Sequence, residues 1–177
     1  MGIDEAGRGA LAGPVVIAGV VLNYETELQL LNDSKLLSAS RRELLYPQII
    51  SGAYAYKIVE IDVKIIDQIN IREASLRGFS MVYKALREKA EYALVDGRDI
   101  PSGLKGSAVV RGDGHHACIA AASILAKVYR DRLMLRLDSR YPEYGFARHK
   151  GYGTQAHYLA LTSFGPCVQH RKSFRLS

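Results

Sequence analysis

Four carboxylates have the type and placement to hold a divalent cation: the adjacent pair Asp4-Glu5, then Asp96 and Asp113. Asp4-Glu5 runs at once into a Gly7-Arg8-Gly9 turn, Gly13-Pro14 and the apolar run from Val15 to Leu22. Taken alone, two adjacent acids read as a solvated turn, because burying both is costly unless a cation lies between them. Asp96 ends the apolar stretch Tyr92-Ala93-Leu94-Val95 and is followed by Gly97, while Asp113 closes Arg111-Gly112-Asp113 after another apolar stretch. The only histidines near these motifs are His115 and His116, which argues against an imidazole base. An all-oxygen set suits Mg²⁺ or Mn²⁺ rather than zinc. Two such cations roughly 4 Å apart can activate water and stabilise a leaving oxygen in phosphodiester hydrolysis. One obstacle stands against the set. Neighbouring side chains on a strand point to opposite faces, so Asp4 and Glu5 share a site only if the strand bends or Glu5 reaches round its edge. Asp131, between Arg130 and Arg132, is a rival fourth carboxylate for which a surface ion pair is the simpler account.

These residues need strand ends to present them. Residues 13–23, rich in Val and Ile, read as a buried strand hairpinned to one around residues 2–5. The capping box Ser40-Arg41-Arg42-Glu43 starts a helix near residue 41, with Pro47 kinking or interrupting it. Residues 53–61 form a strand and 63–89 helices, with Asn70 capping a second helix after a break, and Leu76, Phe79, Tyr83 and Leu86 facing the core. Residues 92–95 and 107–110 are short strands that deliver Asp96 and Asp113. The helix from about 116 to 138 has an apolar stripe of Ala121, Ile124, Leu125, Val128 and Leu135, with Ser123, Lys127 and Arg130 on another face. Residues 141–153 read as loop, and a further helix runs from Thr154 to Ser163. The pattern is α/β with a mixed sheet, in which ligand sites gather at strand ends.

The 177 residues suit one domain, with a basic helical part at the C-terminal end. Charge is uneven: net −2 over residues 1–104 and net +8 over 105–177. A basic half beside an acidic cluster fits a polyanionic substrate and a cation, or a merely basic soluble protein. Cys118 and Cys167 make neither a disulfide framework nor a zinc spacing, and Cys118 reads as a small core residue. No secretory leader or membrane span is expected, and a cytoplasmic setting is the default. The basic tail from His170 to Arg175 either binds a duplex or solubilises.

At these motifs the chain resembles ribonuclease HII. The resemblance rests on residues 2–9 with Gly13-Pro14-Val15, on Asp33-Ser34-Lys35, on Val95-Asp96-Gly97, and on Gly112-Asp113 followed by residues 120–128. It closes with residues 149–154 and His170-Arg171-Lys172-Ser173-Phe174. The blocks keep the family's order over nearly the whole chain. Gly114-His115-His116 stands where Lys or Ser often follows the Gly-Asp pair, and no acid is lost.

The resemblance implies a ribonuclease H-like fold, a mixed central sheet flanked by helices. It implies metal-dependent cleavage of RNA in RNA–DNA hybrids and incision 5′ of a single ribonucleotide in duplex DNA, leaving 3′-OH and 5′-phosphate ends. Asp4, Glu5, Asp96 and Asp113 match the family's acids. Gly7, Arg8 and Gly9 match the turn that reads the ribose 2′-OH, the group that tells RNA from DNA. Tyr152 matches the tyrosine that packs on the sugar just 3′ of the ribonucleotide. Ser34, Lys35, Ser123 and Lys127 are candidate substrate contacts, and the chain is expected to act as a monomer. The alternatives are a DNA-structure-specific nuclease of the same fold and a non-catalytic hybrid-binding module.

Overall fold

The computed structural model describes residues 1–23 and 38–177. Strand β1 (Gly2–Ala6) pairs antiparallel with β2 (Val15–Leu22), and β3 (Ala53–Ile61) adds antiparallel to β2. Along the other edge of β1, β4 (Ala93–Asp96) and β5 (Gly106–Val109) run parallel, giving the order β3-β2-β1-β4-β5. Ile3 pairs with Val95, so Asp4 and Asp96 are the next residues along two adjacent strands.

Strand β2 explains why its run is apolar throughout. Val15, Ile17 and Val21 pack towards helix α2 (Val63–Leu86) with Phe79 and Val82. Val16, Ala18 and Val20 pack on the other face against Leu45 and Ile49 of α1 (Ala39–Gly52) and Ala121, Ile124 and Leu125 of α3 (Ala117–Arg140). A strand covered on both faces has no polar side to alternate. Helix α3 lies so close to β1 that a Cβ on Gly2 would stand 2.2 Å from the Cys118 carbonyl carbon. The small residues of the first turns of α3 permit that approach.

Several expectations are adjusted. Helix α1 begins at Ala39, capped by Ser38, whose Oγ accepts the Arg41 N–H at 3.2 Å. Pro47 does not interrupt it, because Pro47 is exposed and the amide it lacks falls on the solvent side, while Leu45 and Ile49 hold the helix to the core. Asn70 does break α2 (φ 66°), and its Oδ1 accepts the N–H groups of Arg72 and Glu73. Phe79 and Leu86 are buried, with Leu76 and Tyr83 packed partly against the same core. Leu135 is exposed rather than part of a stripe. The end of α3 turns Leu133, Met134 and Leu137 onto a separate cluster with Leu11, Ala12, Tyr144, Phe146 and Leu161. Residues 141–153 are not all loop: a 3₁₀ turn covers Pro142–Tyr144 and helix α4 covers Phe146–His149. Helix α5 (Gln155–Phe164) follows, capped by Thr154. Cys118 is only partly buried, and both cysteines are free thiols. Among the described residues no helix is long and apolar enough to cross a membrane.

Gly2→Ala tests the close contact of α3 with β1. The added methyl forces the backbones apart, an overpacking cost of about 1–3 kcal/mol. A thermal melt should show a fall of several degrees, at roughly 2–4 °C per kcal/mol for a chain of this size. An unchanged melting temperature would mean that α3 yields without cost.

Candidate functional site

The acids gather where β1 and β4 end. Asp4 is only 5% exposed on the α3 face of the sheet, where its Oδ1 accepts the Glu5 N–H at 2.7 Å and Ser123 stands beside its carboxylate. Asp96 Oδ1 accepts the Gly112 N–H at 2.7 Å, which ties the end of β4 to the turn carrying Asp113. Asp113 is 2% exposed, with its Oδ2 3.9 Å from Lys127 Nζ. Lys127 Nζ also donates to Ser123 Oγ at 2.7 Å. A polar chain thus runs from Asp4 through Ser123 and Lys127 to Asp113.

Strand β1 does not bend. Its pairing with β2 is regular through Ala6, and alternation sends Glu5 towards the α2 face, away from Asp4. Glu5 Oε1 lies 3.4 Å from Arg8 Nη1, and Glu5 Oε2 is buried with no hydrogen-bond partner. Burial, then the Glu5 carboxylate, push the Asp4 pKa up to about 8, with Asp96 adding to the rise and Ser123 and Lys127 opposing it. The Glu5 pKa is also raised, first by burial, against the pull of Arg8. Lys127 and Arg8 do not offset the crowded acids, and the group is short of positive charge. Among the described residues no three His, Cys, Asp or Glu side chains form a ready-made metal cage. Mg²⁺ is ordinarily held by one or two carboxylates together with water and substrate phosphates. The hard oxygen donors and the orphaned Glu5 oxygen fit such an ion.

Two buried arginines shape the turn beside the acids. Arg171 donates to the carbonyls of Gly7 (2.7 Å), Arg8 (2.9 Å) and Gly13 (3.0 Å). Arg130 donates to those of Ala12 (3.0 Å), Pro14 (3.1 Å) and Lys150 (2.9 Å). Gly7 has φ +88°, and a Cβ there would stand 1.8 Å from Arg130 Nε, so only glycine fits. Arg8 and Gly9 are exposed, open space surrounds Gly9, and among the described residues their N–H groups donate to nothing. Gly151 O accepts from Leu11 and Ala12, which brings Tyr152 to the same loop. Tyr152 is 44% exposed, with Arg130 Cζ 5.4 Å from its ring centroid.

The remaining candidates divide. Ser34 and Lys35 lie outside the described residues. Ser123 is fully buried and serves Asp4 from inside the protein rather than offering a surface hydroxyl. The charged neighbours of Asp131 are Lys150, Arg42, Arg130 and Glu43, none of them the other acids, and its pKa is raised chiefly by burial. His115 is exposed and His116 partly so. The basic tail is not a free arm, since His170 and Arg171 are buried. Arg171 and His170 stood in the sequence only as basic tail residues, and Arg130 only as one of a polar helix row. The sole signal for Arg171 and His170 was their place inside a family-like block, and Arg130, just past the block of residues 120–128, had none.

The Ribonuclease HII family model matches residues 1–177. A ribonuclease HII from Xylella fastidiosa is 49% identical over 176 residues, covering 98% of this chain and 75% of the relative. The chain belongs to the ribonuclease HII family. It is therefore an enzyme, an endoribonuclease. In structure it is similar to the ribonuclease HII of Archaeoglobus fulgidus, solved in complex with PCNA, with TM-score 0.84 and 30% identity over 99% of this chain and 95% of that one. The ribonuclease H2 of Pyrococcus horikoshii gives TM-score 0.82 and 26% identity over 99% and 93%. The ribonuclease H-like mixed sheet expected from the sequence is thus borne out.

In this ribonuclease HII chain the charge balance at Asp4 predicts a pH effect on stability. An aspartate titrating near 3.9 unfolded and at about 8 folded gives stability that is fully present below pH 4. That stability is lost as pH rises towards and through 8. In EDTA, Asp4→Asn should therefore melt above the parent protein at pH 8–9, with the gap closing towards pH 4. A gap that stays constant across this range would show that Asp4 is not held protonated.

Proposed function

We propose that this chain is a divalent-metal-dependent endoribonuclease that cleaves the RNA strand of RNA–DNA hybrids. We read it also as incising 5′ of single ribonucleotides in duplex DNA, leaving 3′-OH and 5′-phosphate ends. The observation that carries the reading is the buried, cation-deficient acid group directly beside a turn whose N–H groups face outward. Asp4, Glu5 and Asp96 would hold Mg²⁺ or Mn²⁺, with Asp113 completing the acid set beside Lys127. Bound there, such cations supply an activated water and neutralise charge on the departing 3′ oxygen.

The protein's own groups do the rest. Ser123 and Lys127 orient Asp4 and Asp113. The N–H groups of Arg8 and Gly9 can donate to a 2′-hydroxyl oxygen, and the glycine lets a sugar come close. The half-exposed ring of Tyr152 offers a flat surface for the neighbouring sugar. Exposed Lys and Arg side chains of the second half hold the phosphate backbone, so affinity should fall with salt. The free thiols support a reducing, cytoplasmic setting. We read the chain as acting as a monomer.

The test is a duplex containing one ribonucleotide, incubated with Mg²⁺, Mn²⁺ or EDTA. Incision 5′ of the ribonucleotide with metal and none in EDTA is expected. Asp4→Asn and Asp96→Asn should each slow turnover on the order of 100-fold or more, equivalent to about 2.7 kcal/mol of barrier, while hybrid binding persists. Parent-level rates in Mg²⁺ would refute the acid assignment. Cleavage of all-DNA junctions would indicate a structure-specific nuclease, and binding without cleavage a recognition module.

A further inference from the structure

We propose that His157 and His170 are positioning residues, a two-imidazole relay that carries orientation from the C-terminal tail to the Tyr152 carbonyl and so sets the Tyr152 ring over the substrate sugar. This rests on the reading of Tyr152 given above.

The hydrogen bonds leave one tautomer for each ring. The Cys167 N–H donates to His170 Nδ1 at 3.0 Å, so that nitrogen accepts and His170 Nε2 carries the proton. His157 Nδ1 lies 3.0 Å from the Tyr152 carbonyl, which can only accept, so Nδ1 carries the proton and Nε2 is left as acceptor. The two free ends meet, His157 Nε2 to His170 Nε2 at 3.0 Å, with one proton between two nitrogens. The ends were fixed independently by a backbone N–H and a backbone carbonyl, and they are complementary. Both rings must be neutral for this, and they are buried. Burial, then the neighbouring His157, push the His170 pKa down to about 4, and burial lowers that of His157.

The surroundings hold the rings in place. His149 stacks on His157 with centroids 4.3 Å apart, and Phe146 meets His157 edge-on. His149 is fixed in turn, accepting the Gly151 N–H through Nδ1 and donating through Nε2 to the Tyr144 carbonyl. The Tyr152 N–H donates to the His149 carbonyl, so both backbone polar groups of Tyr152 are tied to this histidine cluster. Residues 169–171 also bond the 11–13 segment, so the tail that orients Tyr152 is the one that shapes the glycine turn.

Asparagine places its amide near the Nδ1 position of histidine and glutamine near Nε2, which allows a crossed test. His157→Asn keeps a donor for the Tyr152 carbonyl, whereas His157→Gln loses it. At the other ring, His170→Gln keeps the donor to His157, whereas His170→Asn keeps only the Cys167 bond. Single-turnover cleavage of the one-ribonucleotide duplex is measured for the four variants, each with its melting temperature. The relay needs both links, so it predicts that His170→Gln retains most of the rate, while His170→Asn, His157→Gln and His157→Asn, which keeps the Tyr152 bond but cuts the His170 link, each lose about ten-fold or more, as misplacement near a reacting centre does. Adding Tyr152→Ala to His157→Gln should give no further loss. Equal losses in the two His170 variants, parent-level rate in His157→Asn, losses that track melting temperature, or losses that multiply with Tyr152→Ala would overturn the relay. If Tyr152→Ala alone cleaves at the parent rate, the reading of Tyr152 falls, and the relay's task with it.

Discussion

Six backbone carbonyls converge on two buried guanidinium groups, and the acid-bearing edge depends on that arrangement. Arg130 is 1% exposed and Arg171 0%. Among the described residues neither has a carboxylate within ion-pairing distance, so carbonyl dipoles replace water around both cations. Burying a charge without such replacement is prohibitively costly, and burial together with the nearby Arg130 pushes the Arg171 pKa down to about 9. The planar, forked guanidinium satisfies several carbonyls at once where an ammonium is a single point charge. The consequence for the turn is directional. With the carbonyls of Gly7 and Arg8 drawn inward, the N–H groups of Arg8 and Gly9 are left to the surface. The outward-facing N–H groups proposed to read the substrate are thus a by-product of solvating two interior cations.

The acids show the opposite imbalance. Asp4 and Glu5 stand on opposite faces of an unbent strand, and their charges meet only around its end. A site of this kind straddles the ends of the central strands β1 and β4 rather than filling a pocket, which suits a duplex backbone that must lie along an open surface. It also explains why no closed cage of ligands is found among the described residues. The energetic tension at Asp4 is relieved only by a cation or a proton. A structure that holds acids in this state carries a local instability for the sake of its chemistry.

The acids were legible in the sequence from local signals: Asp96 ends an apolar strand before Gly97, Asp113 lies between two glycines just after another, and Asp4-Glu5 opens directly onto the Gly7-Arg8-Gly9 turn. Asn70 was legible for the same kind of reason, since its side chain caps two N–H groups within three residues. What escaped was set by distant partners. Arg171 bonds carbonyls 158 to 164 residues away, and nothing local separates it from the solvated Lys172 beside it. His157 looked like an ordinary helix residue, and its meaning came only from the ring of His170. The Leu135 stripe failed because helical periodicity says which residues share a face, but not where along the helix the sheet ends. The Asp4-Glu5 difficulty was the converse case: simple strand alternation described the structure better than the bend invoked to escape it.

Charge bookkeeping by halves needs the same correction. The +8 of residues 105–177 suggests a broad basic surface for a polyanion. Yet Arg130 and Arg171 are interior, Lys127 lies against Asp113, Arg132 is paired with Glu43 and Lys105 with Glu91. Part of the basic excess therefore builds the floor beneath the glycine turn and steadies the acids, rather than facing phosphate. On the proposed reading, attraction to a duplex would rest on the smaller group of exposed residues left over, and selectivity on the turn that the interior ones shape. On the proposed reading, a ribose would be distinguished not by how strongly its backbone is held but by how rigidly two N–H groups and one aromatic ring are aimed at it.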